Sequence, residues 1–169
     1  CVLQAAALAV RHVLAKICGN VTIKWPNDIY IGNGKVSGTL IQCDMENAKT
    51  RRMVIGIGVN VNQEHFTSAA PNAVSLHNAA GHEFDRISIL HSIAERFAVE
   101  YDALKFGADY INQRYVSHLY HKEGMHEYKD RNGIFRAAFE RVEKDGRLVL
   151  RDENGKERTY GFKEVEFMI

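Results

Sequence analysis

Cysteine is scarce in this chain and carries no pattern. Cys1, Cys18 and Cys43 are odd in number and form no Cys-x-x-Cys spacing, which argues against a disulfide framework and for a reducing, cytoplasmic setting. A surplus of one charge is lacking as well. The 22 basic and 21 acidic residues leave a net charge of +1, so the composition demands neither a nucleic-acid nor a membrane partner. No apolar run reaches membrane-spanning length, because Arg11, His12 and Lys16 interrupt the apolar start. That start has neither the basic segment nor the small-residue cleavage site of a secretory signal. A lipid-anchored Cys1 would be followed by a polar tether rather than by an apolar stretch.

Several chemical signatures are missing too. Gly32-Asn33-Gly34-Lys35 is no phosphate-cradling loop, since Ile29 stands where its first glycine belongs and Val36 where Ser or Thr belongs. Gly56-Ile57-Gly58 lacks the third glycine of a dinucleotide fingerprint. There is no Gly-x-Ser-x-Gly elbow. His118, His121 and His126 straddle a helix end with no carboxylate or cysteine motif to complete a metal site, and read as solvated histidines. Repeats and low-complexity tracts are absent.

What is present is an ordinary globular composition, 46% hydrophobic and 25% charged over 169 residues, enough for one medium domain or a domain with a small appendage. Residues 2–17 read as a buried helix stopped by Gly19-Asn20. No capping residue opens it, so the chain is expected to begin inside a helix and to be part of something longer. Strands are expected over 21–25, 28–31, 35–43 and 52–62, with Asn33-Gly34 as a hairpin turn. Residues 66–84, with Pro71, Asn72 and Gly81, read as an irregular connection. A helix with apolar positions 90, 93, 94, 97, 101 and 104 follows over 87–104, capped by Asp85. A second covers 108–120 with Tyr110, Ile111 and Tyr115 inward. From Gly124 the pattern becomes short alternating strands parted by Asp145-Gly146 and Asn154-Gly155, that of a small antiparallel barrel. The boundary falls at about 122–126, giving units 1–123 and 124–169.

The strand over 52–62 carries the clearest physical message. Met53, Ile55, Ile57, Val59 and Val61 form one apolar face. Val54, Gly56, Gly58, Asn60 and Asn62 form the other, offering bare backbone and then two amides. Strand glycines mark close approach, either of a flat ligand or of a packed helix. Amides beyond them can read an adenine edge or a ureido group. Val36, Gly38, Leu40 and Gln42 offer a similar face on the strand over 35–43. If the two strands are neighbours, their glycines together line a slot for a thin apolar ligand with a polar ring.

Earlier in the chain stands Lys24-Trp25-Pro26-Asn27-Asp28, across a hairpin from Lys35. It brings the one tryptophan, a proline-fixed turn, an amide, a carboxylate and an ammonium together. A buried strand has little use for that mixture; a site gripping a nucleotide and a carboxylate uses every member.

These features closely resemble the biotin protein ligases. The resemblance rests on Lys24-Trp25-Pro26-Asn27-Asp28, on Lys35 with Gly38 three residues on, on Val54-Ile55-Gly56-Ile57-Gly58-Val59-Asn60, and on Val74-Ser75-Leu76. It implies an α+β fold, a mixed or antiparallel sheet with packed helices of the class II synthetase-like kind, followed by a barrel resembling the Src-homology-3 type. It implies that ATP, with Mg²⁺, activates biotin to biotinyl-5′-AMP, and that the acyl group passes to a lysine of a biotin carboxyl carrier domain. Lys35 and Asp28 match the catalytic positions, Asp28 orienting or deprotonating the acceptor lysine or else contacting magnesium. Gly38, Leu40, Gly56 and Gly58 match the biotin slot, and Lys24, Trp25, Asn27 and Asn60 match positions near the adenylate. The family's Gly/Arg-rich loop over the adenylate has no counterpart in these residues, so half a site is expected, in which helix 2–17 needs a cover from elsewhere. Pairing of two copies through the strand bearing Gln42 and Asp44 stays open. A lipoate ligase or octanoyltransferase of the same fold, and a binding module without turnover, are the alternatives.

Overall fold

The structure is a computed structural model that describes residues 1–46, 49–67 and 72–169. The alanine-rich start forms α1, Val2–Leu14, shorter than expected because the chain tightens at its end. There the Lys16 and Ile17 amides reach back three residues, to Val13 and Leu14, before Asn20 turns the backbone at φ +52°. Ala5 through Val10, Val13 and Leu14 are all buried. The expected need for an outside cover is thereby overturned: α1 packs on helices α3 (Arg86–Asp102) and α4 (Ala108–Val116) and on the first sheet.

That sheet runs β1 (Val21–Lys24), β2 (Asp28–Ile31), β3 (Gly34–Glu46) and β4 (Lys49–Val59), in that order and antiparallel throughout. Of the two sheet types expected, it is the antiparallel one. The β2–β3 turn is centred on Gly32-Asn33, one residue earlier than expected, with φ +56° at Gly32. Gly34 already pairs with Ile31 and is a glycine for another reason: an added β-carbon would lie 2.7 Å from Val74 Cγ1.

Residues 66–84 hold more order than expected, though 68–71, Pro71 included, lie outside the described residues. Ser75 and Asn78 form a reciprocal capping box that opens α2, Leu76–Ala80, and Gly81 closes it at φ +79°. A five-residue helix carries too little periodicity to be read from sequence. Asp85 caps α3 through the Ile87 and Ser88 amides, as expected. The buried face of α3 differs from the expected stripe. Ile89, Ile93 and Glu100 are buried, while Leu90 and Tyr101 are more than half exposed. Glu100 accounts for the rotation. It pairs with Arg96 and, in bidentate fashion, with Arg114 of α4, so a charged cluster occupies a line that an apolar count passes over. Burial alone would raise the Glu100 carboxyl, but the two guanidinium groups win and hold it below its ordinary range. On α4, Ile111 and Tyr115 are buried and Tyr110 is not.

After α4 the chain returns along β1. Ile23 donates to the His118 carbonyl at 2.8 Å and receives the Tyr120 amide at 2.9 Å. A second antiparallel sheet follows, made of β5 (Met125–Asp130), β6 (Gly133–Val142), β7 (Leu148–Asp152), β8 (Glu157–Tyr160) and β9 (Glu166–Phe167) in the order β8-β7-β6-β5-β9. Gly146 and Gly155, at φ +93° and +79°, make its turns where the sequence placed them. One apolar cluster runs through both sheets, from Ile29, Trp25 and Tyr115 to Tyr128, Val142 and Leu148. No helix among the described residues is long and apolar enough to cross a membrane.

Candidate active site

Cross-strand register brings the expected residues together. Lys24 stands opposite Asp28, Asp28 opposite Gly38, and Gly38 opposite Gly58, so one row crosses all four strands on one face. Leu40 and Gly56 form the next row. The opposite face holds Val21, Ile23 and Ile29, buried toward the helices.

Lys35 reaches this face through a bulge. Strict alternation would put positions 35 and 38 on opposite sides of β3. The register instead slips between Ile29 and Tyr30, pairing Tyr30 with Lys35 and leaving Val36 as the extra, fully buried residue. Lys35, not Val36, therefore joins Gly38. Its Nζ lies 2.7 Å from Asp28 Oδ1, the Lys35 side chain 41% exposed. Its main chain is clamped by a parallel segment: its amide donates to the Asn72 carbonyl at 2.7 Å, and its carbonyl receives the Val74 amide at 2.9 Å.

The two glycines of β4 meet no helix. Among the described residues, an added β-carbon at Gly56 or Gly58 would have only a strand carbonyl 3.9 Å away. Close helix packing, one of the two explanations for strand glycines, is thus removed, and the bare backbone faces open space beside the exposed Leu40. The odd side chains of β4 are less enclosed than a pure core face would be. Ile55, Ile57 and Val59 are half-buried and border an apolar groove against Ile89, Leu90, Ile93 and Phe97 of α3.

Asn27 is locked to β3, its side-chain amide donating to the Thr39 carbonyl and its own carbonyl receiving the Thr39 amide. Asn60 donates its side-chain amide to the Val74 carbonyl at 3.2 Å and to that of Lys35 at 3.5 Å, which makes it a clip for the lysine-bearing strand. Lys24 Nζ sits 5.0 Å from the Phe167 ring and 5.4 Å from that of Tyr30, and burial lowers its pKa against the pull of Asp28. Trp25 is buried and its Nε1–H donates to Gly146 in the second sheet.

The sequence marked Tyr115 only as inward and Asn72 only as part of a connection; their support of the site is new: the Tyr115 hydroxyl donates to the Pro26 carbonyl at 2.9 Å, and the Asn72 amide donates to the Tyr30 hydroxyl at 3.0 Å. Only long-range folding brings them here. His121 and His126 are packed on each other rather than solvated apart. His121 stacks on His126 at 3.7 Å and on Tyr120 at 4.0 Å, and burial, His126 and Lys24 push it down to about 4. Among the described residues no group of three or more His, Cys, Asp or Glu side chains is placed to hold a metal.

Comparison with known proteins agrees with this geometry. Residues 2–60 match the biotin/lipoate A/B protein ligase family. The bifunctional ligase/repressor BirA of Bacillus subtilis is 32% identical over 160 residues, 92% of this chain and 49% of the relative. The biotin–[acetyl-CoA-carboxylase] ligase of Paracoccus denitrificans is 35% identical over 100 residues, 55% of this chain and 42% of the relative. This chain thus spans about half the length of the curated relatives it matches. In fold it is similar to the biotin protein ligase of Aquifex aeolicus solved with biotin and ATP, at a TM-score of 0.77 and 22% identity over 99% of this chain and 70% of the other. Relatives and solved structures point the same way as the Lys24-to-Asp28 segment and the glycine strand: residues 2–60 match the biotin/lipoate A/B protein ligase family, and over most of its length the chain is similar to biotin protein ligases.

Proposed function

We propose that this chain carries the biotin-activating face of a biotin protein ligase, with Lys35 and Asp28 as its working pair. The observation that carries the reading is the row Lys24–Asp28–Gly38–Gly58, an ammonium–carboxylate pair at the mouth of an open strip of strand backbone. A thin ring system lies on Gly38, Leu40, Gly56 and Gly58, with its carboxylate toward Lys35. That carboxylate must attack the α-phosphate of ATP, anion on anion. The Lys35 ammonium lowers the repulsion and stabilises the charge of the transition state. An oxygen–phosphorus bond forms to the α-phosphorus, pyrophosphate leaves, and biotinyl-5′-AMP results. An acceptor lysine amine then attacks the acyl carbon; AMP leaves, and the amine proton is lost, with Asp28 near enough to orient or take it. Lys24 and Asn27 flank the adenylate. Asn60 and Trp25, matched by resemblance to the same region, act from behind through the backbone contacts described above.

Magnesium has no built site in these side chains. Asp28 is the carboxylate of the row, and its Oδ1 is taken by Lys35. A magnesium ion would come held by the nucleotide's own phosphates, and no step above depends on it. We read residues 1–123 as the catalytic unit and 124–169 as a small barrel of the Src-homology-3 kind. The acceptor is a biotin carboxyl carrier domain. The three free thiols suit a cytoplasmic enzyme, and the part of β3 beyond its pairing with β2 offers an edge for a homodimer.

The test is pyrophosphate release from ATP with biotin or lipoate, followed by covalent labelling of a carrier-domain lysine. Biotin-dependent release with labelling supports the reading. A preference for lipoate would move the chain to the other branch of the family. Binding of biotin without release would leave a binding module.

A further inference from the structure

The indole of Trp25 joins two parts of the molecule that are distant in sequence. It is 6% exposed, and its Nε1–H donates to the Gly146 carbonyl at 3.0 Å. The donor opens the turn that carries Asp28; the acceptor lies in the β6–β7 hairpin of the second sheet. Each residue after Trp25 is anchored in turn, one to α4 and two to β3. The Pro26 carbonyl is held by the Tyr115 hydroxyl of α4, Asn27 is locked to Thr39 of β3, and Asp28 meets Lys35. The first anchor is itself rigid. The Gly146 amide donates to Glu143 at 2.9 Å, the Glu143 amide donates to Arg147 at 2.8 Å, and Asp145 accepts from the Arg147 amide and Nε at 3.1 and 2.7 Å.

We propose that the β6–β7 hairpin positions the site: through the Trp25–Gly146 bond it sets the turn from Trp25 to Asp28, and with it the Asp28–Lys35 pair. Trp25 and Gly146 are positioning residues. The second sheet is then a working part of the site rather than an appendage beside it. Any buried indole N–H needs an acceptor; this one takes a carbonyl from a hairpin 121 residues away, so the bond ties the turn to the second sheet. Replacing a tryptophan that only filled the core would loosen the whole protein evenly and leave the pair where it stands.

The consequence for catalysis rests on Lys35 and Asp28 being the working pair, so the experiment has one arm that does not. Amide exchange by nuclear magnetic resonance is measured on the whole 169-residue chain as wild type, Trp25→Phe and Tyr160→Phe. The last breaks a bond to Asp130 inside the second sheet only. Trp25→Phe should speed exchange of the Thr39 amide, which is bonded to Asn27, by about tenfold relative to amides of α1 and β7, the order expected for one net hydrogen bond. Tyr160→Phe should loosen the second sheet and leave Thr39 unchanged. Gly146→Ala covers the case in which Trp25→Phe fails to fold. It keeps the indole, disturbs a backbone at φ +93°, and should shift the single indole N–H resonance together with the Thr39 amide. In the second arm, Trp25→Phe should lower kcat for pyrophosphate release about tenfold with KM for biotin unchanged. Unchanged Thr39 exchange, or an increase shared evenly by all amides, overturns the proposal. If Thr39 responds while the wild type releases no pyrophosphate, the functional reading fails and the positioning stands.

Discussion

Gly38 has no side chain because Asp28, its register partner on β2, uses the space. A β-carbon at position 38 would come within 3.1 Å of Asp28 Oδ1 and 3.3 Å of Lys35 Cε and Nζ. This differs from the situation of Gly56 and Gly58, where a β-carbon meets almost nothing. Three glycines that look alike in sequence thus guard two different things, an ion pair and an empty strip.

Gly38→Ala should separate the pair without unfolding the protein. The atoms it meets are the free ends of two partly exposed side chains, which can shift. Biotin-dependent pyrophosphate release should fall by roughly 10-fold or more, since misplacement of about 1 Å can cost 10²-fold, while the melting temperature stays within a few degrees. Unchanged release would show that the pair's position is immaterial to the chemistry.

Gly58→Val tests the strip. Valine suits a strand better than glycine, so stability should hold or rise within the roughly 1 kcal/mol span of strand propensity. Biotin binding, followed by calorimetry, should be lost because the side chain stands where the ring would lie. Parallel losses of binding and stability would mean that the space is structural.

Lys35→Ala should leave biotin binding largely intact and nearly abolish adenylate formation. Removing one electrostatic stabiliser costs about 10²–10³ in rate. Its main-chain bonds to Asn72 and Val74 do not depend on the side chain, so its clamp should survive. A first half-reaction at wild-type rate would remove Lys35 from the mechanism.

Much of this site was legible because strands have a period of two. The alternation of glycine with isoleucine and valine in β4 gave the bare face, and the Lys24-to-Asp28 segment with Lys35 gave the polar end. The bulge at Val36 was not legible, because an extra residue in one strand leaves no trace in composition, yet it alone brings Lys35 beside Gly38. The face of α3 was misread for a related reason: Glu100 is buried by its partners Arg96 and Arg114, one of them on another helix. Gly34 looked like a turn residue, but Val74, forty residues on, explains it.

Glu100→Gln should destabilise the protein more than any of the site substitutions. The change leaves Arg96 and Arg114 facing an uncharged amide, and breaking a buried ion pair from one side typically costs about 3–5 kcal/mol. At this chain length that corresponds to a fall of roughly 10 °C in melting temperature. The acid response follows the same group. Its carboxyl is held below its ordinary value of 4.5, so the ionised form stabilises the fold fully above that value. The contribution is lost as pH falls further, and the variant should lack that part of the acid transition.

His121 controls an earlier and separate stretch of the acid limb. It is packed between Tyr120 and His126, with Tyr128 and Phe167 near its ring and Lys24 as the facing cation. Burial first, then His126 and Lys24, push it from 6.5 down to about 4. The folded protein therefore keeps it neutral where the unfolded chain would already be protonated. Protons favour the unfolded state across that interval, so stability should decline as pH falls from 6.5 towards 4. His121→Phe keeps a ring in the stack and removes the proton-binding site. Urea unfolding from pH 7 to pH 4 should then show a flatter dependence for the variant than for the wild type, with the curves diverging above the range where Glu100 begins to titrate. Parallel curves would mean that His121 titrates alike in both states and that its packing leaves its charge free to form.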